Sequence, residues 1–227
     1  MQPDEPLQNV AEDSAPTTRC RIMATANTFF HEIGYQKTTV ADIARALKMS
    51  PANVYRFFDS KKAINEAVLE RLIGEVEALL AGIANRPGLS PTARLVSAIE
   101  ALHRYSMDRY ERYPRIHEMV EAAMGESWEV CRHHLAGVTG VLERIIREGV
   151  GTGEFETPDP AVAAGCIHVA IARYTHPLLV CQPILPPVPP LDAMIGFLLR
   201  GLAPARAYSE AGVEGGAGSE AEGCAPS

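Results

Sequence analysis

An all-α fold is predicted for this 227-residue chain, and three observations predict it. Leu, Ala, Ile and Val dominate the apolar residues, with Glu and Arg between them, which is a helix-forming composition. Apolar positions recur at helical spacing along most of the chain, and no stretch alternates as a strand would. The segment Thr38 to Lys61, TTVADIARALKMSPANVYRFFDSK, reads as a short helix, a tight turn, a second short helix and the start of a third. Ile43, Ala44, Leu47, Met49 and Val54 flank that turn. This is the pattern of a helix-turn-helix, whose second helix is offered to a DNA groove.

The elements follow in order. Residues 1–17 are polar, acidic and Pro-containing, and are expected to be disordered. The first helix is predicted from Thr18 to about Ile33, with Ile22, Ala26, Phe29, Phe30 and Ile33 at helical spacing and Gly34 as its stop. Thr39 caps the second helix, and Asp42 three residues on completes a capping box. Met49 and Ser50 make the turn. Ser50 is a natural N-cap, and Pro51 suits the first helical position because its missing N–H would be unpaired there anyway. The third helix is predicted from Pro51 to about Phe57. Asp59 and Ser60 break the chain, and Lys61 opens a long fourth helix reaching about Asn85. Ala63, Ile64, Ala67, Val68, Leu72, Val76 and Leu79 share one of its faces.

Arg86-Pro87-Gly88 is a break. Helices are predicted at about 91–113, 114–124, 127–150, 159–181 and 191–202, started by Pro91, Pro114, Ser127 and Asp159-Pro160. Gly149 to Pro158 reads as a loop. Residues 183–190, PILPPVPP, form a Pro-rich connection. The tail from Pro204 on, rich in Gly, Ala, Ser and Glu, is expected to be disordered.

Composition narrows the function. The net charge is −7, but Arg19 to Ile73 holds nine Lys and Arg against five Asp and Glu. The remainder holds twelve basic and twenty-three acidic residues. A basic segment on an acidic body suits a protein that meets phosphates with one end only. No apolar run approaches the ~20 residues of a membrane span. The start, MQPDEPLQNVAEDSAPTT, lacks the apolar core of a secretory signal, so a cytoplasmic location is expected. The five cysteines are scattered, with no CxxC pair, which argues against a disulfide framework. There is no G-x-S-x-G, phosphate loop or Rossmann glycine pattern, so no enzyme and no cofactor are expected.

The order of helix, GYQKTTVADIARALKMSPANVYRFFDSKKAI, long helix and helical body resembles the TetR family of one-component repressors. The shared features are a Gly-aromatic pair after the first helix, Thr-Thr before the second and Asp-Ile-Ala inside it. A Tyr followed by Phe-Phe and a Ser-Lys opening the fourth helix complete them. The resemblance is strong over residues 18–65, and TGEFETPDPAVAA looks like the family's link between C-terminal helices. In the recognition helix, many members carry Lys-Gly-Thr or Arg-Gly-Ala where this chain has Pro51-Ala52-Asn53. That departure leaves the fold intact but bars transfer of a known operator sequence.

The resemblance implies an N-terminal three-helix helix-turn-helix DNA-binding domain (18–65), joined by a long helix to a helical effector-binding and dimerisation domain (66–203). Residues 1–17 and 204–227 would be flanking disordered segments. The implied partners are double-stranded operator DNA, a second copy of the chain and a small-molecule effector, with no membrane. Candidate DNA-binding residues are Thr38, Thr39, Ser50, Pro51, Ala52, Asn53, Tyr55, Arg56 and Lys61. Thr39 sits where its hydroxyl and nearby amides can hold a phosphate. The family places Lys61 on a phosphate and Tyr55 on the backbone or a base. Asn53 can pair with adenine and Arg56 with guanine, while Ala52 is small enough to touch a thymine methyl.

A single helix-turn-helix reads few base pairs, so a two-fold dimer is expected. The mostly apolar segments Asp159–Cys181 and Leu191–Leu202 are its expected interface. The central helices, 91–150, would enclose the effector, with His103, Tyr105, Met107, Tyr110, His117, Met124 and Trp128 as candidate lining. An acidic body with Met and aromatic residues leans towards a cationic or apolar effector. The alternative is a helical metal-binding sensor or a protein-interaction module on the same fold. Cys131, His133 and His134 cluster, and His117 and Glu121 are four apart, but no known metal-site spacing is met. No metal is therefore expected.

Overall fold

The computed structural model describes residues 16–113, 115–180 and 188–204. Most of the expected disordered arm and tail (1–15 and 205–227), Pro114, the Pro-rich residues 183–187 and Cys181 and Cys224 lie outside the described residues. Among the described residues the chain forms ten helices and no strand.

α1 (Thr18–Glu32) begins where the Thr17 hydroxyl accepts from the Cys20 amide. It ends at Gly34, whose φ of 102° admits a residue without a Cβ most readily. α2 (Val40–Ala46) carries the full capping box: the Asp42 amide donates to the Thr39 hydroxyl, and the Thr39 amide donates to the Asp42 carboxylate. α3 (Pro51–Tyr55) is capped by Ser50 and is shorter than its sequence pattern, with Phe57 left 40% exposed. α4 (Lys61–Ala84) is capped by Ser60. α5 (Pro91–Arg112), α6 (Ile116–Glu126) and α7 (Trp128–Thr152) follow, then α8 (Pro160–Thr175), the single turn α9 (Pro177–Val180) and α10 (Leu191–Leu202).

Three expectations require correction. The helix expected over 159–181 breaks at His176, which is extended (φ −86°, ψ 126°). Pro177 is the cause, because its ring disfavours the helical conformation in the residue before it. The helix-turn-helix turn does not rest on Met49 and Ser50 alone; Lys48 is its left-handed residue, at φ 55°. Gly149 and Gly151 lie inside α7, which ends at the left-handed Gly153. Gly149 is there for contact: a Cβ would fall 2.1 Å from Cδ2 of the buried Phe155. The amides of Glu154 and Phe155 both donate to the Gly149 carbonyl, folding the loop back onto α7.

Two apolar clusters result. The first joins Ile22, Ala26 and Phe30 of α1, Ile43 and Ala44 of α2, Val54 of α3, and Ile64, Ala67, Val68 and Leu69 of α4. Met119, Ala122 and Ala123 of α6 complete it. The second joins Val76, Leu80 and Ala84 of α4 with the inner faces of α5, α7, α8 and α10. Glu154 ties the closing loop to this body by accepting from the Thr92 amide and hydroxyl at the start of α5.

Gly149→Val would drive the Phe155 ring out of its seat. It is expected to destabilise the chain by about 2–3 kcal/mol, from overpacking and lost aromatic burial. The denaturant midpoint measures this; a midpoint equal to wild type would refute the contact.

Candidate nucleic-acid interface

The recognition helix is fixed from beneath. Val54 is wholly buried against Ile43 and Ala44, whereas Pro51, Ala52, Tyr55 and Arg56 are exposed. Tyr55 is 50% exposed, so it belongs to the outer face and not to the small core. Asn53 is half-buried, its amide nitrogen 3.9 Å from the Met49 sulfur, and its backbone N–H donates to the Ser50 hydroxyl. Ser50 therefore caps α3 while lying at the exposed edge of the same face.

Thr39 and Thr38, adjacent in sequence, do opposite things. Thr39 is exposed, and its hydroxyl donates to Asp42 at 2.6 Å. Hydrogen bonds from the Thr39 hydroxyl and amide hold the Asp42 carboxyl below its ordinary range, with Arg45 adding to the effect. Thr38 is only 1% exposed and its hydroxyl donates to the Gly34 carbonyl at 2.8 Å. Its expected place on the DNA-facing set is corrected accordingly: it closes the α1–α2 turn from inside.

Lys61 is also held by the protein. Its ammonium donates to the Tyr35 carbonyl at 2.9 Å and sits 4.3 Å from the Tyr35 ring centroid. The Tyr35 hydroxyl in turn donates to Glu126, at the end of α6. Burial, with the nearby Glu126 charge, pushes that phenol up to about 12.

The same turn rests on the body. A Cβ at Gly34 would fall 2.5 Å from Glu118 Oε2 and 2.7 Å from Arg115 Nε, so the start of α6 packs directly on it. The buried Asn65 of α4 donates to the Met119 carbonyl at 3.1 Å. His31, 5% exposed, stacks on Tyr113 with ring centroids 4.0 Å apart. His31, Asn65 and Glu126 carry no local signal in the sequence. The Gly34-Tyr35 pair is a visible motif, but the Tyr35 partner lies 91 residues away, and the Asn65 partner 54 residues away.

The model of bacterial regulatory proteins of the tetR family matches residues 22–68, and the model of the tetracyclin repressor-like C-terminal domain matches residues 91–183. The chain belongs to the TetR family. A TetR-family relative is IcaR of Staphylococcus aureus, the HTH-type negative transcriptional regulator of the biofilm operon icaADBC, 31% identical over 97 residues. The match covers 43% of this chain, which spans about half the length of that relative. Among solved structures, a TetR/AcrR-family regulator from Thermobifida fusca is 24% identical with a TM-score of 0.56, covering 80% of this chain and 94% of that one. The TetR-family regulator PfmR of Thermus thermophilus is 26% identical with a TM-score of 0.56, covering 81% and 100%. SmeT of Stenotrophomonas maltophilia has a TM-score of 0.62 at 18% identity, covering 83% and 92%, and shares the fold.

The candidate effector residues of this TetR-family body are spread over several faces. His103 is turned to α8, its Nδ1 2.9 Å from the Tyr174 carbonyl. Tyr105 is turned to α4, donating to Glu75, and burial pushes its phenol up to about 12. Met107, Tyr110 and His117 are half-buried, and Met124 and Trp128 are 38% and 51% exposed. A cleft of about 420 Å³ between α4 and α7, lined by Glu70, Ile73, Glu77, Glu129, Val130 and His133, includes none of the seven. Among the described residues no three His, Cys, Asp or Glu side chains gather as metal ligands. His133 faces Glu77 at 3.5 Å, while the neighbouring His134 ring is buried on another side. No helix among the described residues is long and apolar enough to cross a membrane.

Burial and the Arg109 guanidinium push His31 from its ordinary 6.5 down to about 4. The folded chain keeps this imidazole neutral, while the unfolded chain protonates it near 6.5. Stability is therefore expected to fall as pH drops from 6.5 towards 4, because the unfolded state binds the extra proton. His31→Phe keeps the stack on Tyr113 and removes this titration. Denaturant midpoints at about pH 7 and about pH 5 should differ less in the variant than in wild type. His134, lowered to about 4 by burial, keeps part of the slope in both. An identical slope in the variant would refute the role given to His31.

Proposed function

We propose that this chain is a sequence-specific transcriptional repressor that binds a palindromic operator as a homodimer and is released by a small-molecule effector. The supporting observation is the exposed face of α3: Pro51, Ala52, Tyr55 and Arg56 stand outward on a helix anchored by the buried Val54. Phosphate contacts position such a helix and base contacts specify sequence. Thr39 and Lys61 are assigned to phosphates, Lys61 through the ammonium proton beyond those it gives to the Tyr35 and Gln36 carbonyls. Asn53 and Arg56 are assigned to base edges. The Staphylococcus aureus relative is itself a negative transcriptional regulator.

The second copy is supported by apolar surface left outside the core. On α8, Val162 and Val169 are 61% and 79% exposed, and on α10 Phe197 is 66% exposed. Apolar side chains exposed together mark an interaction face. Light scattering should return about twice the 24.5 kDa chain mass.

Release is assigned to the joint between the two clusters. An effector that prefers one setting of α4 and α6 shifts the population by at most its differential affinity for the two settings. The deciding experiment is selection of bound duplexes from a random pool by the purified chain. Enrichment of a two-fold symmetric site is expected, and a pool left unenriched at moderate ionic strength would refute the proposal. Binding to the selected site, repeated with a panel of cationic and apolar small molecules, tests release; no ligand-dependent change would leave a constitutive repressor.

Asn53→Ala is expected to relax preference at one base position, by about 1–3 kcal/mol of discrimination. Lys61→Ala is expected to weaken binding to every duplex and to lower the salt slope by about one unit per protomer. Wild-type affinity in both variants would count against the assigned face.

A further inference from the structure

Lys48 stands at the centre of the helix-turn-helix turn, between α2 and α3. Its φ of 55° is the one positive φ at a non-glycine residue among the described residues. The turn demands this conformation. The Lys48 amide donates to the Arg45 carbonyl at 3.1 Å and the Met49 amide to the Ala44 carbonyl at 3.0 Å, closing α2 and sending the chain on to Ser50. A left-handed backbone crowds the Cβ of an L-residue, and Gly or Asn bears it best. The fold therefore asks for a small or amide residue where the sequence supplies a long cation.

The lysine side chain gives nothing back to the fold. It is exposed and has no hydrogen bond, ion pair or ring contact among the described residues. Four cations of the head are engaged, whereas Arg21 and Lys37, far from the turn in sequence, are exposed like Lys48. Arg45 pairs with Asp42 at 3.1 Å, Lys62 with Glu66 at 3.8 Å, Arg19 lies over the Phe58 ring and Lys61 holds Tyr35. Lys48 and Arg56 flank α3 at its two ends, and both are left to solvent. Strained backbone persists where the surroundings impose it, and it collects at functional sites.

We propose that Lys48 is a DNA-backbone contact, its ammonium meeting a phosphate at the edge of the groove that α3 enters. The inference rests on the DNA-binding reading above and adds a residue to it. Lys48 fixes the position of α3 along the duplex and reads no base, so its effect is independent of sequence.

The test uses the full chain and a labelled mixed-sequence duplex of about 30 base pairs, roughly three helical turns. Affinity is followed between about 50 and 200 mM salt. Lys48→Asn keeps a residue suited to positive φ and removes the charge. It should retain or raise the melting temperature, bind about fivefold more weakly per protomer, and flatten the salt slope by about 0.9 per protomer. Lys48→Arg should keep the wild-type slope. Lys48→Gly, equally free to adopt the turn, replaces Lys48→Asn if that variant does not fold. An unchanged slope in the neutral variant overturns the assignment of Lys48 alone. A wild type with no affinity for this duplex or for any duplex of the random pool overturns the DNA-binding reading and this inference with it.

Discussion

One rod shared by two cores governs this molecule. α4 gives Ile64, Ala67, Val68 and Leu69 to the cluster beneath the helix-turn-helix, and Val76, Leu80 and Ala84 to the cluster of the body. A helix of 24 residues is about 36 Å long and stiff along its axis, so its two ends cannot be reset independently. Whatever tilts the lower half within the body moves the upper half and, through α1 and α2, the recognition helix packed on α2.

α6 makes this coupling two-sided. It touches α1, α4 and α7, and its Met119, Ala122 and Ala123 complete the head core. Its polar groups lock the same joint: the Met119 carbonyl receives Asn65, Glu126 receives the Tyr35 hydroxyl, and the Arg115–Glu118 pair rests on Gly34. A buried donor or acceptor left unpaired costs about 1–3 kcal/mol, so sliding α6 breaks several bonds together. Such a joint holds discrete settings and resists gradual deformation. Lys61 belongs to this chain of contacts as well as to the exposed face, because Tyr35 lies between its ammonium and Glu126. A residue assigned to phosphate is thus mechanically linked to the body.

Local chemistry was plainly legible in the sequence. The Thr39–Asp42 capping box, the Ser50 and Ser60 caps, Pro51 and Pro160 at first helical positions and the stop at Gly34 all appear where their side chains require them. Each rests on contacts within about four residues, which spacing alone reports. Errors arose where a residue's meaning lies at a distance. Gly149 looks like a breaker, yet it sits inside α7 to make room for Phe155. Thr38 resembles a surface hydroxyl beside Thr39, yet the turn buries it. His103 and Tyr105 are two apart on α5 and therefore face different neighbours, α8 and α4.

By itself the sequence determined the all-helical class, the order and capping of the helices and the presence of a helix-turn-helix on a basic segment. Periodicity, caps and charge are local quantities, written in consecutive residues. Only the tertiary structure decided that α6 belongs to the core beneath the DNA-reading helices, that Lys48 bears the left-handed turn, and that His31, Asn65 and Tyr35 form the joint. Those outcomes depend on which helix faces meet, and that is fixed by the competition to bury all apolar faces at once.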